Sequence, residues 1–90
     1  MEEAVSEFSA AIELFPTDIA AYFHRGSCYI ALDEDRKAID DLSMVIALDP
    51  AEQLACIDRA IVYYAIEESS LAWDDVWKAI EIGPDHSVAY

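Results

Sequence analysis

The sequence predicts an all-α protein, a solenoid of antiparallel helix-turn-helix hairpins with five helices in one domain. The first observation is a period, because Pro16, Pro50 and Pro84 lie 34 residues apart. A fixed period of this size is typical of stacked repeats, in which each unit buries its apolar face against its neighbours. The second is composition: 56% of the 90 residues are hydrophobic and only two are glycine. So few loop-forming residues favour long helices around one modest core.

The segment before each proline is predicted to be a helix. Apolar residues recur there at spacings of three and four, which places them on one buried helical stripe. In the middle copy this stripe contains Ala38, Leu42 and Val45. Since proline cannot continue a helix, each helix should end just before its proline. The three predicted helices are 2–15, 34–48 and 69–82.

The segment after each proline is predicted to be a second helix. Gly26 and Ala60 hold equivalent positions in the two complete copies. Glycine inside a helix costs about 1 kcal/mol relative to alanine, so its presence suggests that a neighbouring helix passes too close for a side chain. Asp18 can cap the first of these helices. The predicted ranges are 19–32 and 53–66, and the short turns between helices imply antiparallel neighbours.

Two oppositely charged positions recur in the same register. Asp41 lies 16 residues after Arg25, and Asp75 lies 16 residues after Arg59. These positions can face each other across an antiparallel hairpin, so two ion pairs are predicted, Arg25–Asp41 and Arg59–Asp75. The alternative is that all four side chains point into solvent.

These features resemble the tetratricopeptide repeat (TPR), a family of 34-residue helix-turn-helix units. The family's aromatic, small and closing-proline positions are matched in one repeat by Tyr22, Gly26, Tyr29, Ala38, Leu42 and Pro50, and in the next by Ala60, Tyr63, Ala72, Val76, Ala79 and Pro84. The resemblance implies a right-handed solenoid of about two and a half repeats. Residues 1–16 would be the second helix of a partial repeat, 17–50 and 51–84 whole repeats, and 85–90 the start of a further first helix.

The sequence departs from the family at two kinds of position. Arg25 and Arg59 replace the usual leucine of the first helix. Asp33 and Glu67 replace the usual turn glycine. These two residues must therefore adopt a left-handed backbone conformation or change the turn.

The resemblance implies a protein–protein interaction scaffold whose first helices line a concave groove, here apolar with acidic flanks, for a partner peptide or helix. The candidate groove residues are Phe23, His24, Ser27, Ile30, Ile57, Asp58, Ile61 and Tyr64. The alternative is that the apolar members are core or repeat-interface residues. One known use of the family is a clamp of lysine, arginine and asparagine that grips the acidic tail of a chaperone. The matching positions hold none of these residue types, so we expect no such clamp here.

Charge restricts the class of partner. The chain has 19 acidic and 5 basic residues, a formal net charge of −14. Nucleic acid and anionic membrane are disfavoured because both require a basic surface, whereas an apolar or basic protein or peptide fits. No apolar run is long enough for a membrane span and no basic leader segment is present. Cys28 and Cys56 follow no disulfide or zinc spacing, which favours reduced thiols and a cytoplasmic location.

The second functional hypothesis is self-association through open half-repeat ends, since the chain is expected to start and stop within repeats. Trp73 and Trp77 lie one helical turn apart, where the other copies have smaller residues. With Tyr90, which holds the position of Tyr22, they form the candidate association surface. The alternative is a fragment of a longer array, in which these residues contact the next repeat.

No enzyme activity, cofactor or metal is expected. His24 and Cys28 lie at i and i+4 and could form a nucleophile pair or half a metal site, but each lacks the remaining partners. The adjacent acids Asp40–Asp41 and Asp74–Asp75 point in different directions on a helix and make no catalytic pair.

Overall fold

The computed structural model describes residues 2–82, which form five α-helices. They are α1 (Glu2–Leu14), α2 (Ile19–Ala31), α3 (Asp35–Leu48), α4 (Gln53–Ala65) and α5 (Ser69–Ile82). Each predicted helix is present, and its ends lie within one residue of those predicted. No strand occurs between residues 2 and 82, so the prediction of an all-helical solenoid is confirmed. The predicted further helix at 85–90 lies outside the described residues.

Two of the helices, α2 and α4, begin at side-chain caps. The Asp18 carboxylate accepts a hydrogen bond of 3.2 Å from the backbone N–H of Ala21, which satisfies one free donor at the start of α2. One repeat later, the Glu52 carboxylate accepts a 3.3 Å bond from the N–H of Leu54. The first helix of each repeat, α2 or α4, therefore begins directly after an acidic residue that lies two positions after the proline.

The two hairpin turns share one backbone geometry. Asp33 and Glu67 both adopt the left-handed conformation, with φ angles of 61° and 66°. In the first turn the N–H of Glu34 donates to the carbonyl of Tyr29 at 2.8 Å, and an equivalent bond of the same length closes the second turn. This pattern is the Schellman motif, which normally has glycine at the left-handed position. The turns thus adopt the Schellman geometry without glycine.

Within each hairpin the helices approach closely and run antiparallel. A Cβ atom added to Gly26 would lie 3.3 Å from the Cβ of Asp41 and 3.5 Å from the Cγ of Leu42. The expected close approach of α2 and α3 is therefore present. At the other hairpin, the Gln53 side-chain amide donates to the carbonyl of Ala79 at 2.8 Å, which joins the start of α4 to the end of α5.

The core runs continuously from one repeat to the next. Its buried side chains come from four helices and form one cluster of Tyr22, Leu42, Val45, Ile46, Ala55, Cys56 and Ala79. Ala55 and Cys56 are completely buried, so the first turns of α4 lie directly against α3. Both cysteines are free and buried, and burial raises the pKa of the Cys56 thiol. A protonated buried thiol acts as a packing residue.

Candidate functional site

Two bidentate ion pairs fix the hairpins from which the surfaces are built. Arg25 Nε donates to Asp41 Oδ2 at 2.8 Å and Nη2 donates to Oδ1 at 2.7 Å. Arg59 makes the same two contacts with Asp75, both at 2.7 Å. The two carboxylates are only 4% exposed. These hydrogen bonds raise the pKa of both arginine side chains, which keeps them charged.

Each arginine also reaches back to the preceding repeat, a contact that the sequence reasoning missed. Arg25 Nη1 donates to Ser9 Oγ of α1 at 3.0 Å, and Arg59 Nη1 donates to Ser43 Oγ of α3 at 2.9 Å. Each serine lies 16 residues before its arginine, just as each aspartate lies 16 after it. That symmetry was a readable signal. A single guanidinium therefore ties three helices of two repeats together.

On α2, the candidate groove residues are only partly available. Phe23 and Ile30 are half-buried and pack against the core cluster. The His24 ring stacks on Phe8 of α1, with ring centroids 5.4 Å apart. Ser27 is exposed. The α2 part of the candidate surface thus has limited apolar area.

On α4, the equivalent side chains are far more accessible. Ile57, Ile61 and Tyr64 are exposed, as is Leu54 one turn before them. Asp58 is half-buried, and burial raises the pKa of its carboxyl. The apolar exposure of the candidate groove is therefore concentrated in the second repeat.

An apolar cleft of about 310 Å³ lies between α4 and α5. It is lined by Ile57, Ala60, Ile61, Tyr64, Ala72, Trp73 and Val76, with no charged side chain. Three of these residues belong to the candidate groove and Trp73 to the candidate association surface. The structure brings together residues that the sequence analysis assigned to two surfaces. Ala60, Ala72 and Val76, which match small and apolar positions of the repeat, also line this cleft.

The two tryptophans are both exposed on α5, Trp73 at 62% and Trp77 at 60%. Trp73 lines the cleft, and Trp77 lies one turn further along the helix without lining it. Tyr90, the third member of the candidate association surface, lies outside the described residues.

The described residues contain no cluster of three or more histidine, cysteine, aspartate or glutamate side chains that could hold a metal ion. Between residues 2 and 82, no helix is both long and apolar enough to cross a membrane.

Comparison with solved structures identifies close structural relatives. MamA is 30% identical over a match that covers 89% of this chain and 47% of that protein, with a TM-score of 0.86. YrrB, described as a TPR protein with an unusual peptide-binding site, is 28% identical with a TM-score of 0.87; the match covers 94% of this chain and 44% of YrrB. This chain therefore spans about half the length of either relative. No family model and no curated protein sequence matches it.

A third solved structure shares the fold at lower identity. The first TPR of Spaghetti (RPAP3), bound to the HSP90 peptide SRMEEVD, is 21% identical with a TM-score of 0.87. The match covers 96% of this chain and 68% of that one. Stacked helix hairpins, each in contact with its neighbours along the chain, define the class of helical repeat proteins. Within that class, the chain is a tetratricopeptide repeat protein of about two and a half repeats.

Proposed function

We propose that the chain is a protein-interaction scaffold that binds a partner peptide on the face formed by α2 and α4. The observation that carries this proposal is the row of exposed apolar side chains on α4, Leu54, Ile57, Ile61 and Tyr64. Large apolar side chains that remain exposed in a contiguous row commonly mark an interaction site. The peptide-binding site of YrrB, a relative of the same fold, supports this role. The proposed role is binding rather than catalysis.

The proposed partner is an apolar segment with basic flanks. A molecule with a net charge of −14 attracts cationic segments and repels acidic ones, which accelerates the association of the former. The apolar residues of α4 then supply the burial that holds the peptide.

The test uses peptides selected from a random library on the immobilised chain, followed by calorimetry with variants. Leu54→Ala and Ser27→Glu change exposed positions on α4 and α2 and should each weaken binding at least about tenfold. Leu14→Ala removes a leucine of α1 that is 74% exposed, against 59% for Leu54, and serves as the matched control. Unchanged affinity in both surface variants would contradict the groove.

An acidic peptide provides the opposite test. The RPAP3 domain was solved with the HSP90 peptide SRMEEVD. In this chain, the positions of the family's clamp that can be placed hold Phe23, His24, Ser27, Leu54 and Asp58. None of these is lysine, arginine or asparagine, and a charged Asp58 repels a carboxylate. We expect no calorimetric binding of this peptide. Micromolar affinity would overturn the proposed partner chemistry.

The exposed tryptophan pair favours a second candidate function, self-association through the end of the chain. Two aromatic rings one helical turn apart form a large exposed apolar surface. Mutual repulsion between copies of charge −14 opposes it. Sedimentation across a concentration series separates the two candidates, since a species that stays monomeric at high concentration excludes self-association.

A further inference from the structure

The α4–α5 cleft has a covered counterpart within the same molecule. The equivalent hairpin one repeat earlier, α2–α3, has α4 packed against it. Cys56 of α4 is completely buried and shares a cluster with Leu42 and Ile46 of α3. No helix between residues 2 and 82 takes the corresponding place on α5. As a result Ile80 is 56% exposed, whereas the equivalent Ile46 is only 7% exposed.

The internal contact shows what shape fits the open face. A helix sits on α3 because it presents small side chains, Ala55 and Cys56, in its first turns. Small residues let two helix axes approach to about 8–10 Å, so that ridges fill grooves. The cleft on the open face is lined on α5 by Ala72 and Val76, the equivalents of Ala38 and Leu42 on the covered face. An amphipathic helix with small residues in its first turns therefore matches it.

The charges around the cleft select among helices. Its lining is uncharged, but Glu67 and Glu68 are exposed in the turn at one end, and Glu81 is exposed in the last turn of α5 at the other. Of the two cations on this hairpin, Arg59 is paired with Asp75 and Lys78, next to Trp77, is half-buried. A second copy of this chain would bring a further charge of −14 to this acidic rim. A helix with basic ends complements it.

One substitution distinguishes the open face from the covered one. Ser9 and Ser43 each accept a hydrogen bond from the arginine of the next first helix. The third equivalent position is Trp77, which cannot accept such a bond. Its exposed ring instead offers apolar surface, and a face on which a cation can stack. The end face thus keeps the apolar part of the contact that α4 makes with α3 but lacks the serine acceptor of that contact.

We propose that the α4–α5 cleft, with Trp73 and Trp77 at its edge, is a docking site for an amphipathic partner helix with small apolar residues in its first turns and basic ends. The helix lies where α4 lies on α3. This site goes beyond the proposed groove, because it depends on α5 rather than on α2.

The probe is a synthetic peptide of residues 51–66 with Cys56→Ala and two lysines added at each end. A second peptide with two glutamates at each end is the matched control. The chain has only two tryptophans and the probe has none, so tryptophan emission reports on this face alone. A saturable blue shift with the lysine probe is expected. Anisotropy of a labelled probe should show binding at least about tenfold weaker for the glutamate version at low salt.

Variants locate the bound helix. Trp73→Ile restores the residue of the covered repeat and should weaken binding of the lysine probe about tenfold. Ser27→Glu, which alters the α2 part of the groove, should leave it unchanged. If Ser27→Glu weakens binding of the lysine probe and Trp73→Ile does not, the helix lies in the groove. This proposal is then wrong, although the proposed function stands.

Equal affinity for the lysine and glutamate probes would refute the charge selection. An emission shift that follows protein concentration without probe would assign the face to a second copy.

Discussion

Hairpin α2–α3 has a helix packed on each side, whereas hairpin α4–α5 has one on only one side within residues 2–82. The hairpins share the same turn geometry and the same buried arginine–aspartate pair. They differ in the residues that face the next position along the solenoid, where Ile39 and Ser43 become Trp73 and Trp77. Repetition therefore maintains the fold, and the break in repetition lies on the surface where we propose that a partner helix docks.

The largest expected effect comes from the feature that the hairpins share. Arg25→Ala leaves the Asp41 carboxylate buried without its cation, and Arg59→Ala does the same to Asp75. Each should lower the free energy of unfolding by about 3–5 kcal/mol, measured by urea denaturation. Breaking either pair should cost a similar amount, since burial and geometry match.

The control is the double variant Arg25→Leu with Asp41→Leu. Its first substitution restores the leucine that the family usually has at the position of Arg25. Replacing both charges removes the stranded carboxylate, so much of the stability should return. A loss below about 1 kcal/mol in Arg25→Ala would mean that the pair behaves as an exposed one.

Exchanging the residues that differ is the next test. Ser43→Trp forces a large ring between α3 and α4 and removes the acceptor of Arg59. Overpacking of this kind costs about 1–3 kcal/mol. Trp77→Ser changes an exposed side chain and should alter stability by no more than about 0.5 kcal/mol. Circular dichroism is the suitable readout because both variants alter tryptophan fluorescence.

Equal losses of stability in the two exchanges would show that Trp77 is buried in solution by a contact outside the two hairpins compared. Equal tolerance would show that the α3–α4 junction is loose. Either result would remove the distinction between a covered and an open face.

Prediction from sequence succeeded where the structural cause is local or periodic. Helix ends followed from prolines and apolar spacing, and the positions of Arg25 and Asp41 followed from the register of one hairpin. The Ser43–Arg59 contact crosses two repeats. Its spacing of 16 residues recurs in the sequence, but whether the two side chains meet depends on how hairpins stack, which the helical period alone does not specify. The cleft escaped prediction for a similar reason. Trp73 and Ile61 come from different helices, and whether they meet depends on the rotation of α5 against α4.

The turns give a smaller and asymmetric expectation. Glu67→Gly relieves a left-handed conformation that disfavours a long side chain, and should add about 1 kcal/mol to the free energy of unfolding. Asp33→Gly should add less, because aspartate tolerates this conformation better. Thermal unfolding of the two variants side by side gives the ranking. A larger gain at Asp33 would contradict the assignment of strain to side-chain length.

The smallest effect concerns Asp58, which holds the position equivalent to His24. Burial raises the pKa of the Asp58 carboxyl, so its protonated form favours folding at low pH, and this contribution is lost as the pH rises through the raised pKa. Asp58→Asn should therefore stabilise the protein at pH 7, by no more than about 0.5 kcal/mol. The gain should vanish near pH 3, below the ordinary pKa of an aspartate, about 3.9. Asp40→Asn, an exposed position with the same change of charge, is the control for net repulsion. An identical pH dependence in both variants would show that net charge, rather than burial of Asp58, sets the effect.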